Sequence, residues 1–290
     1  MTHTARLRKH PETFRRLTGI TPETFNEVLQ QLQPRFEEWN DARRDRPERQ
    51  RSIGGGRPFR LTLEEKFLML LLYYRMYTTH MFLGLLFGID DSNVGRNMNP
   101  LQPLLAGIFR IPEKRVHLTE EEIMELFFDG TEQPIHRPKK GQRKWYSGKK
   151  KRHTVKHQVV VVKKRKKRGR GKKKQKLRIA AVSRAFFGKT HDKKIYEEAR
   201  ITSTPGARRV GDTAYIGTAV HTPRKKPRGK ELKPRWRKSN RKLASGRVVV
   251  EHGIGKMKIW RICSDRYRGK RSGHTLMFKN IAGLHNLMFA

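Results

Sequence analysis

The stretch Leu126-Phe127-Phe128-Asp129-Gly130-Thr131 decides how the rest of the chain is read. Apolar residues running into a single acid and then a glycine predict a short buried strand whose last residue, Asp129, is presented at the sheet's edge. The charges around it are unevenly distributed. From Gln133 to His191 there is no Asp or Glu, whereas Lys and Arg crowd the interval. A lone carboxylate facing a field of cations suits a place where acid, divalent metal and phosphate meet. An aspartate before a glycine suits a plain turn just as well, and this stretch alone leaves both readings open.

Composition narrows the partner. The chain has 290 residues, with 68 Lys and Arg against 26 Asp and Glu, for a formal net charge of +42. An enzyme acting on small neutral substrates has no need of such a field, so the partner is a polyanion. Nucleic acid fits best, because neutralised phosphates release their counterions. A membrane surface fits less well: the chain has no strongly basic amphipathic helix, and its longest apolar run, Phe67 to Tyr74, is too short to span a bilayer. Residues 1 to 16 lack the apolar core of a signal peptide, so a reducing interior is expected. Cys263 is the only cysteine, which excludes an intrachain disulfide and a thiolate zinc cluster. The length accommodates two domains.

Upstream of Asp129 the periodicity is helical. Residues 1 to 18 read as a polar, basic lead-in. After the cap Thr21, the residues Phe25, Val28, Leu29 and Leu32 fall at helical spacing, and Asn40 to Pro58, with Gly54-Gly55-Gly56, reads as a linker. Thr62 opens a second helix through Phe67, Leu68, Leu71, Leu72 and Met76, with Glu64 and Glu65 in its first turn. Next come a short segment Thr79 to Phe87, the turn Gly88-Ile89-Asp90, and a third helix capped by Asp91-Ser92-Asn93 and carrying Val94, Leu101, Leu104 and Leu105. Pro100 and Pro103 should distort it. This is the arrangement of a helix-turn-helix, although an ordinary three-helix bundle shares the spacing. On the first reading, Ser92, Asn93, Arg96 and Asn97 reach base edges and phosphates.

Downstream the pattern changes to strands. Thr119 to Leu126, with Glu120, Glu121, Glu122 and Glu125, predicts an acidic helical turn leading into Phe127. Tyr146-Ser147-Gly148 marks a turn, Lys149 to Val162 a strand, and Leu177 to Val182 its returning partner. Between them Lys163 to Lys176 holds 11 basic residues in 14, which suits either an exposed hairpin tip or a localisation signal. As a tip, Lys163, Lys164, Arg165, Lys166, Lys167, Arg168, Arg170, Lys172, Lys173 and Lys174 would hold DNA backbone without reading sequence. A helix is expected around Asp192 to Arg200, with Asp192 as its cap, then a strand Arg208-Arg209-Val210 ending in Gly211-Asp212-Thr213.

Three antiparallel strands, a helix and one more strand form the opening of a ribonuclease H-like α/β fold. A right-handed crossover would bring the ends of the first and last strands together, and with them Asp129 and Asp212, as two divalent cations require. A third acid is supplied by Glu251. Val248 to Val250 favour a strand, and Gly253 and Gly255 each cost about 1 kcal/mol inside a helix. Even so, Arg247, Glu251, Gly255 and Lys258 recur at one helical face, and we read a helix that carries Glu251.

These segments resemble the DDE transposases of bacterial insertion sequences, specifically the insertion-sequence-five-like group related to Harbinger elements. The resemblance is carried by Asp129 to Ile135, Tyr146 to Thr154, Gly211 to Tyr215, and Arg247 to Glu251 with Lys258. It implies a helical DNA-binding domain over 1–115 and a ribonuclease H-like catalytic domain over 116–290. It further implies Asp129, Asp212 and Glu251 as the catalytic, metal-binding triad, with Arg247 and Lys258 contacting DNA. Two Mg²⁺ ions, or Mn²⁺ in their place, would serve cleavage and strand transfer on double-stranded DNA at element ends and target. A homodimer on DNA, in the bacterial cytoplasm at the nucleoid, is the corresponding expectation. Related transposases place a Tyr three residues before the signature Arg, where this chain has Ala244. Two other readings fit the same residues: a basic nucleic-acid-binding protein without chemistry, and a domesticated nuclease or regulator without strand transfer.

Overall fold

Helix follows helix through the first third of the chain. The computed structural model describes residues 3–45, 59–119, 122–163, 177–229 and 231–289. It opens with α1 (His3–Arg8), α2 (Pro11–Thr18) and α3 (Pro22–Arg44), followed by α4 (Leu63–Met76), α5 (His80–Phe87), α6 (Asp91–Met98) and α7 (Leu101–Phe109). Residues 3–18 are thus mostly helical, not a bare lead-in. The buried ring of Phe14 meets Phe25 edge-on at 5.4 Å, and Phe25 stacks on Phe67 at 4.8 Å. Burial of Phe36, whose ring lies 5.5 Å from that of Trp39, carries α3 through the start of the expected linker to Arg44. The rest of that linker, 46–58 with its three glycines, lies outside the described residues.

The expected third helix is two helices. Pro100 has no N–H to continue α6, whereas Pro103 sits in the first turn of α7, where an N–H needs no intrahelical partner. The cap also moves by one residue, since Asp90 Oδ1 accepts from the Ser92 N–H at 2.9 Å.

Strands dominate the middle of the chain: β1 (Arg115–Val116), β2 (Glu125–Pro134), β3 (Tyr146–Ser147) after the short α8 (Gln142–Trp145), β4 (Arg152–Lys163), β5 (Leu177–Val182) and β6 (Phe186–Phe187). Then come α9 (Asp192–Ala199), β7 (Thr202–Ser203), β8 (Arg208–Val210), α10 (Pro234–Lys258), α11 (Arg261–Ser264) and α12 (His274–Phe289). The main sheet runs β3-β4-β2-β8, with β5 and β6 also paired to β4. β4 is antiparallel to β2 and to β5, and β8 is parallel to β2. β1 and β7 form a separate parallel pair. The chain divides into two compact units, Met1–Arg110 with Trp260–Ile262, and Ile111–Ile259 with Cys263–Ala290.

Period-two alternation gives β2 two buried faces. Leu126 and Phe128 join Ile195, Ala199 and Tyr215 in one core. On the opposite face Phe127 meets α10 so closely that a Cβ on Gly246 would stand 2.6 Å from its ring, and one on Gly253 would stand 3.1 Å from Val161. Gly253, which argued against a helix locally, thus lets that helix lie flat on the sheet. α12, in a stretch left unassigned from sequence, buries Met277, Phe278, Ile281 and Leu284, and its Asn286 amide bonds both the N–H and the carbonyl of Ile179.

Two expectations fail here. Asp129 does not end its strand: β2 continues to Pro134, because the long β4 pairs with it from Phe127 onward and sets Asp129 opposite Val159. Nor, among the described residues, does a helix run from Thr119 to Leu126: the Glu122 N–H donates to the Thr119 carbonyl at 2.9 Å, and β2 already begins at Glu125. Glu122 is buried, accepts from Arg178 Nη2 at 2.9 Å and from the Thr119 N–H at 3.1 Å, and leads directly into β2. Glu120 and Glu121 lie outside the described residues.

Candidate active site

In the first unit, α5 and α6 are joined by a turn that only a small residue permits. Gly88 adopts φ +63°, the Ile89 N–H donates to the Gly84 carbonyl at 2.9 Å, and a Cβ on Gly84 would stand 2.7 Å from the Ile89 oxygen. α6 buries Val94 and Met98 and turns Ser92, Asn93, Arg96 and Asn97 to the other side. Ser92 and Arg96 are exposed, whereas Asn97 Nδ2 donates to the Asn93 carbonyl at 2.9 Å and Arg96 Nη1 to Asn93 Oδ1 at 3.2 Å.

In the second unit the parallel register sets the acids. Phe127 pairs with Val210, the last residue of β8, so Asp129 on β2 and Asp212 in the turn after β8, each two residues further on, leave that pair on the same side. Asp129 Oδ1 accepts from the Gly130 N–H at 2.8 Å, and Asp212 Oδ1 caps the turn Thr213–Tyr215 by accepting from the Ala214 N–H at 2.8 Å. Burial pushes the Asp129 carboxyl up to about 6; the Gly130 N–H and Arg247 pull against this, while Asp212 and Asp192 add to it.

Asp192 was expected to cap α9, but the cap is His191, whose Nδ1 accepts from the Lys193 N–H. Asp192 instead turns toward β2, where a Cβ on Gly130 would stand 2.8 Å from its Oδ1. Lys156, nearly buried, lies 3.0 Å from Glu132 and 3.5 Å from Asp192 and donates to the Thr190 carbonyl at 2.9 Å. Sequence reasoning missed this cluster, because Lys156 sits among the polar residues Thr154, His157 and Gln158 and nothing local marks it as buried.

α10 supplies the cations. Arg247 and Lys258 both act on Asp129, and Glu251 lies between them on the same helical face, four residues after one and seven before the other. Glu251 is exposed and pairs with Arg247 at 3.5 Å. Burial lowers the Lys258 ammonium, Lys150 lowers it further, and Asp129 opposes both. The structure thus brings Asp129 and Asp212 together and leaves Glu251 on Arg247. Among the described residues no group of three or more His, Cys, Asp and Glu is close enough to hold a metal ion. Lys163 ends β4 with its ammonium 5.0 Å from the centre of the Phe127 ring. Lys164, Arg165, Lys166, Lys167, Arg168, Arg170, Lys172, Lys173 and Lys174 lie outside the described residues.

A family model described as DDE superfamily endonuclease matches residues 128–286, and one described as the helix-turn-helix of DDE superfamily endonuclease matches 59–111. The chain is 31% identical over 287 residues to a protein named probable transposase for insertion sequence element IS702 from Microchaete diplosiphon, covering 96% of this chain and 94% of the relative. It is 28% identical over 273 residues to one named putative transposase for insertion sequence element IS112 from Streptomyces albus G, covering 93% and 92%. No solved structure matches at a significant level. Among the described residues no helix is long and apolar enough to cross a membrane.

Proposed function

We propose that this chain, which belongs to the DDE superfamily endonucleases, is the transposase of an insertion sequence that binds the element's ends, cuts them and transfers the freed strand to target DNA. The observation that carries the reading is the placement of Asp129 and Asp212, each two residues beyond the paired Phe127 and Val210, with Arg247 and Lys258 acting on Asp129. The strand order β5-β4-β2-β8, with β8 parallel to β2, supports a ribonuclease H-like catalytic domain over 116–290, preceded by a DNA-binding domain over 1–115.

The acids suit a divalent cation. Carboxylate oxygens are hard donors, and burial, with a smaller contribution from Asp212, raises the Asp129 carboxyl. Asp129, Asp212 and Glu251 would hold two Mg²⁺ ions, or Mn²⁺ in their place. When bound, these would supply Lewis acidity to the attacking water and neutralise charge on the phosphoryl group.

The chain's own side chains do the rest. Arg247 offers a planar fork to a phosphate and Lys258 a point charge, which orients the scissile bond over the acids. Lys156 balances Glu132 on β2 and Asp192 at the start of α9, which holds these two carboxylates in place. Ser92, Asn93, Arg96 and Asn97 address the element's ends through the major groove. Lys163 and the cations through Lys174 hold DNA backbone. The outer face of α5, with Met81, Phe82 and Leu85 exposed, supports a homodimer. Work on chromosomal DNA corresponds to a location at the nucleoid.

The test uses linear DNA carrying the element's ends together with a supercoiled target. With Mg²⁺ the protein should nick the ends at a defined phosphodiester and join the 3′ end to the target; EDTA should stop both. Binding without cleavage under any divalent cation would overturn the reading.

A further inference from the structure

A cleft at the outer edge of the catalytic sheet has no part in the chemistry above. It is open, measures about 700 Å³, and is lined by Arg137, Arg143, Lys189, Tyr146, Gly148 and His153. No carboxylate lines it. Tyr146 is exposed, at 42%, yet it is not loose: it pairs with His153 across β3 and β4, and the two rings meet edge-on at 5.6 Å. Arg137 is held by donating from Nε to Gln142 Oε1 at 2.8 Å, and the Lys189 N–H is tied to the Lys144 carbonyl at 3.1 Å. Gly148 is the informative member. A Cβ there would meet nothing within 4 Å, and its backbone does not lie in the left-handed region, so neither packing nor conformation asks for glycine. Gly148 thus leaves its part of the cleft lining open.

The cleft also lies on a path from the acids. His153 is six residues along β4 from Val159, the partner of Asp129, or about 20 Å.

An exposed, fixed aromatic ring rimmed by cations is a stacking platform with phosphate contacts. A duplex hides its base faces, so only an unpaired nucleotide can use such a platform. We infer that this cleft takes an unpaired nucleotide of the DNA, its base stacked on Tyr146 and its phosphates against Arg137, Arg143 and Lys189. The inference rests on the DNA-cleaving reading above.

The experiment measures binding of the full chain by fluorescence anisotropy to three probes: an oligo-dT strand, an abasic strand of equal length and charge, and a blunt duplex. The wild type should bind oligo-dT about tenfold more tightly than the abasic strand. Tyr146→Ala should erase that preference, as should Gly148→Leu, which adds bulk to the cleft lining without removing the ring, while Tyr146→Phe keeps it. Duplex affinity should be the same in all four proteins, which also reports that the variants fold. A wild type without the preference, or a Tyr146→Ala variant that retains it, would overturn the inference, as would tighter Tyr146-dependent binding of oligo-U than of oligo-dT. If duplex binding and Mg²⁺-dependent cleavage persist while the preference is missing, the cleft assignment alone falls. If the wild type binds neither duplex nor single strand, both fall.

Discussion

Asp129, inside β2, and Asp212, just past the end of β8, each lie two residues beyond the paired residues Phe127 and Val210. Burial is the largest influence that raises the Asp129 carboxyl to about 6, and Asp212 raises it further. The folded protein therefore keeps, between about pH 4 and 6, a proton that the unfolded chain has already released. Stability from this group is fully present at the acid end of that window and is lost as the pH rises through it. In EDTA at pH 7, Asp129→Asn should stabilise the protein by about 1–3 kcal/mol. Urea denaturation of both proteins should show the difference growing from pH 4 to pH 6. A difference that stays constant over that range would mean that the fold does not raise the Asp129 carboxyl.

Gly84 touches no DNA in this account, yet recognition depends on it. A Cβ 2.7 Å from the Ile89 oxygen must push α5 and the turn apart, at a cost of about 1–3 kcal/mol. Gly84→Ala should lower thermal stability and weaken binding to the element's ends more than binding to random DNA. Arg96→Ala should leave stability unchanged and cost about 1–3 kcal/mol on the ends alone. Equal losses on both DNAs for Arg96→Ala would reduce α6 to phosphate contact.

Glu122 is fully buried and clasped by Arg178, whose Nη2 also donates to the His117 carbonyl at 3.0 Å. Removing one partner of such a pair leaves the other uncompensated. Glu122→Ala should therefore cost about 3 kcal/mol in urea denaturation. A loss below about 1 kcal/mol would show the pair to be worth no more than a surface bridge.

What could be read from the sequence depended on how local its cause was. The strand Leu177–Val182 emerges where expected, because its mostly apolar run bounded by polar residues specifies it without outside help. The turn at Gly88 and the break at Pro100 are also local, although the break yielded two helices where one was expected. Features set by distant partners were not visible. Asp129 looked like a strand end because the length of β2 is fixed by β4, some 30 residues on. Glu122 looked like part of a helical turn because Arg178, its partner, is 56 residues away. Lys156 drew no notice because Glu132 and Asp192, which give it a purpose, flank it at 24 and 36 residues.

The central claim is that Asp129, Asp212 and Glu251 act together in cutting DNA. The most direct measurement is single-turnover cleavage of labelled element-end DNA by Asp129→Ala, Asp212→Ala and Glu251→Ala in saturating Mg²⁺, with DNA affinity measured in parallel. The account predicts that each variant loses cleavage while binding DNA as well as the wild type or better, since a negative charge has been removed. Wild-type cleavage by any one of the three would take that residue out of the active site, and wild-type cleavage by Asp129→Ala or Asp212→Ala would contradict the account itself.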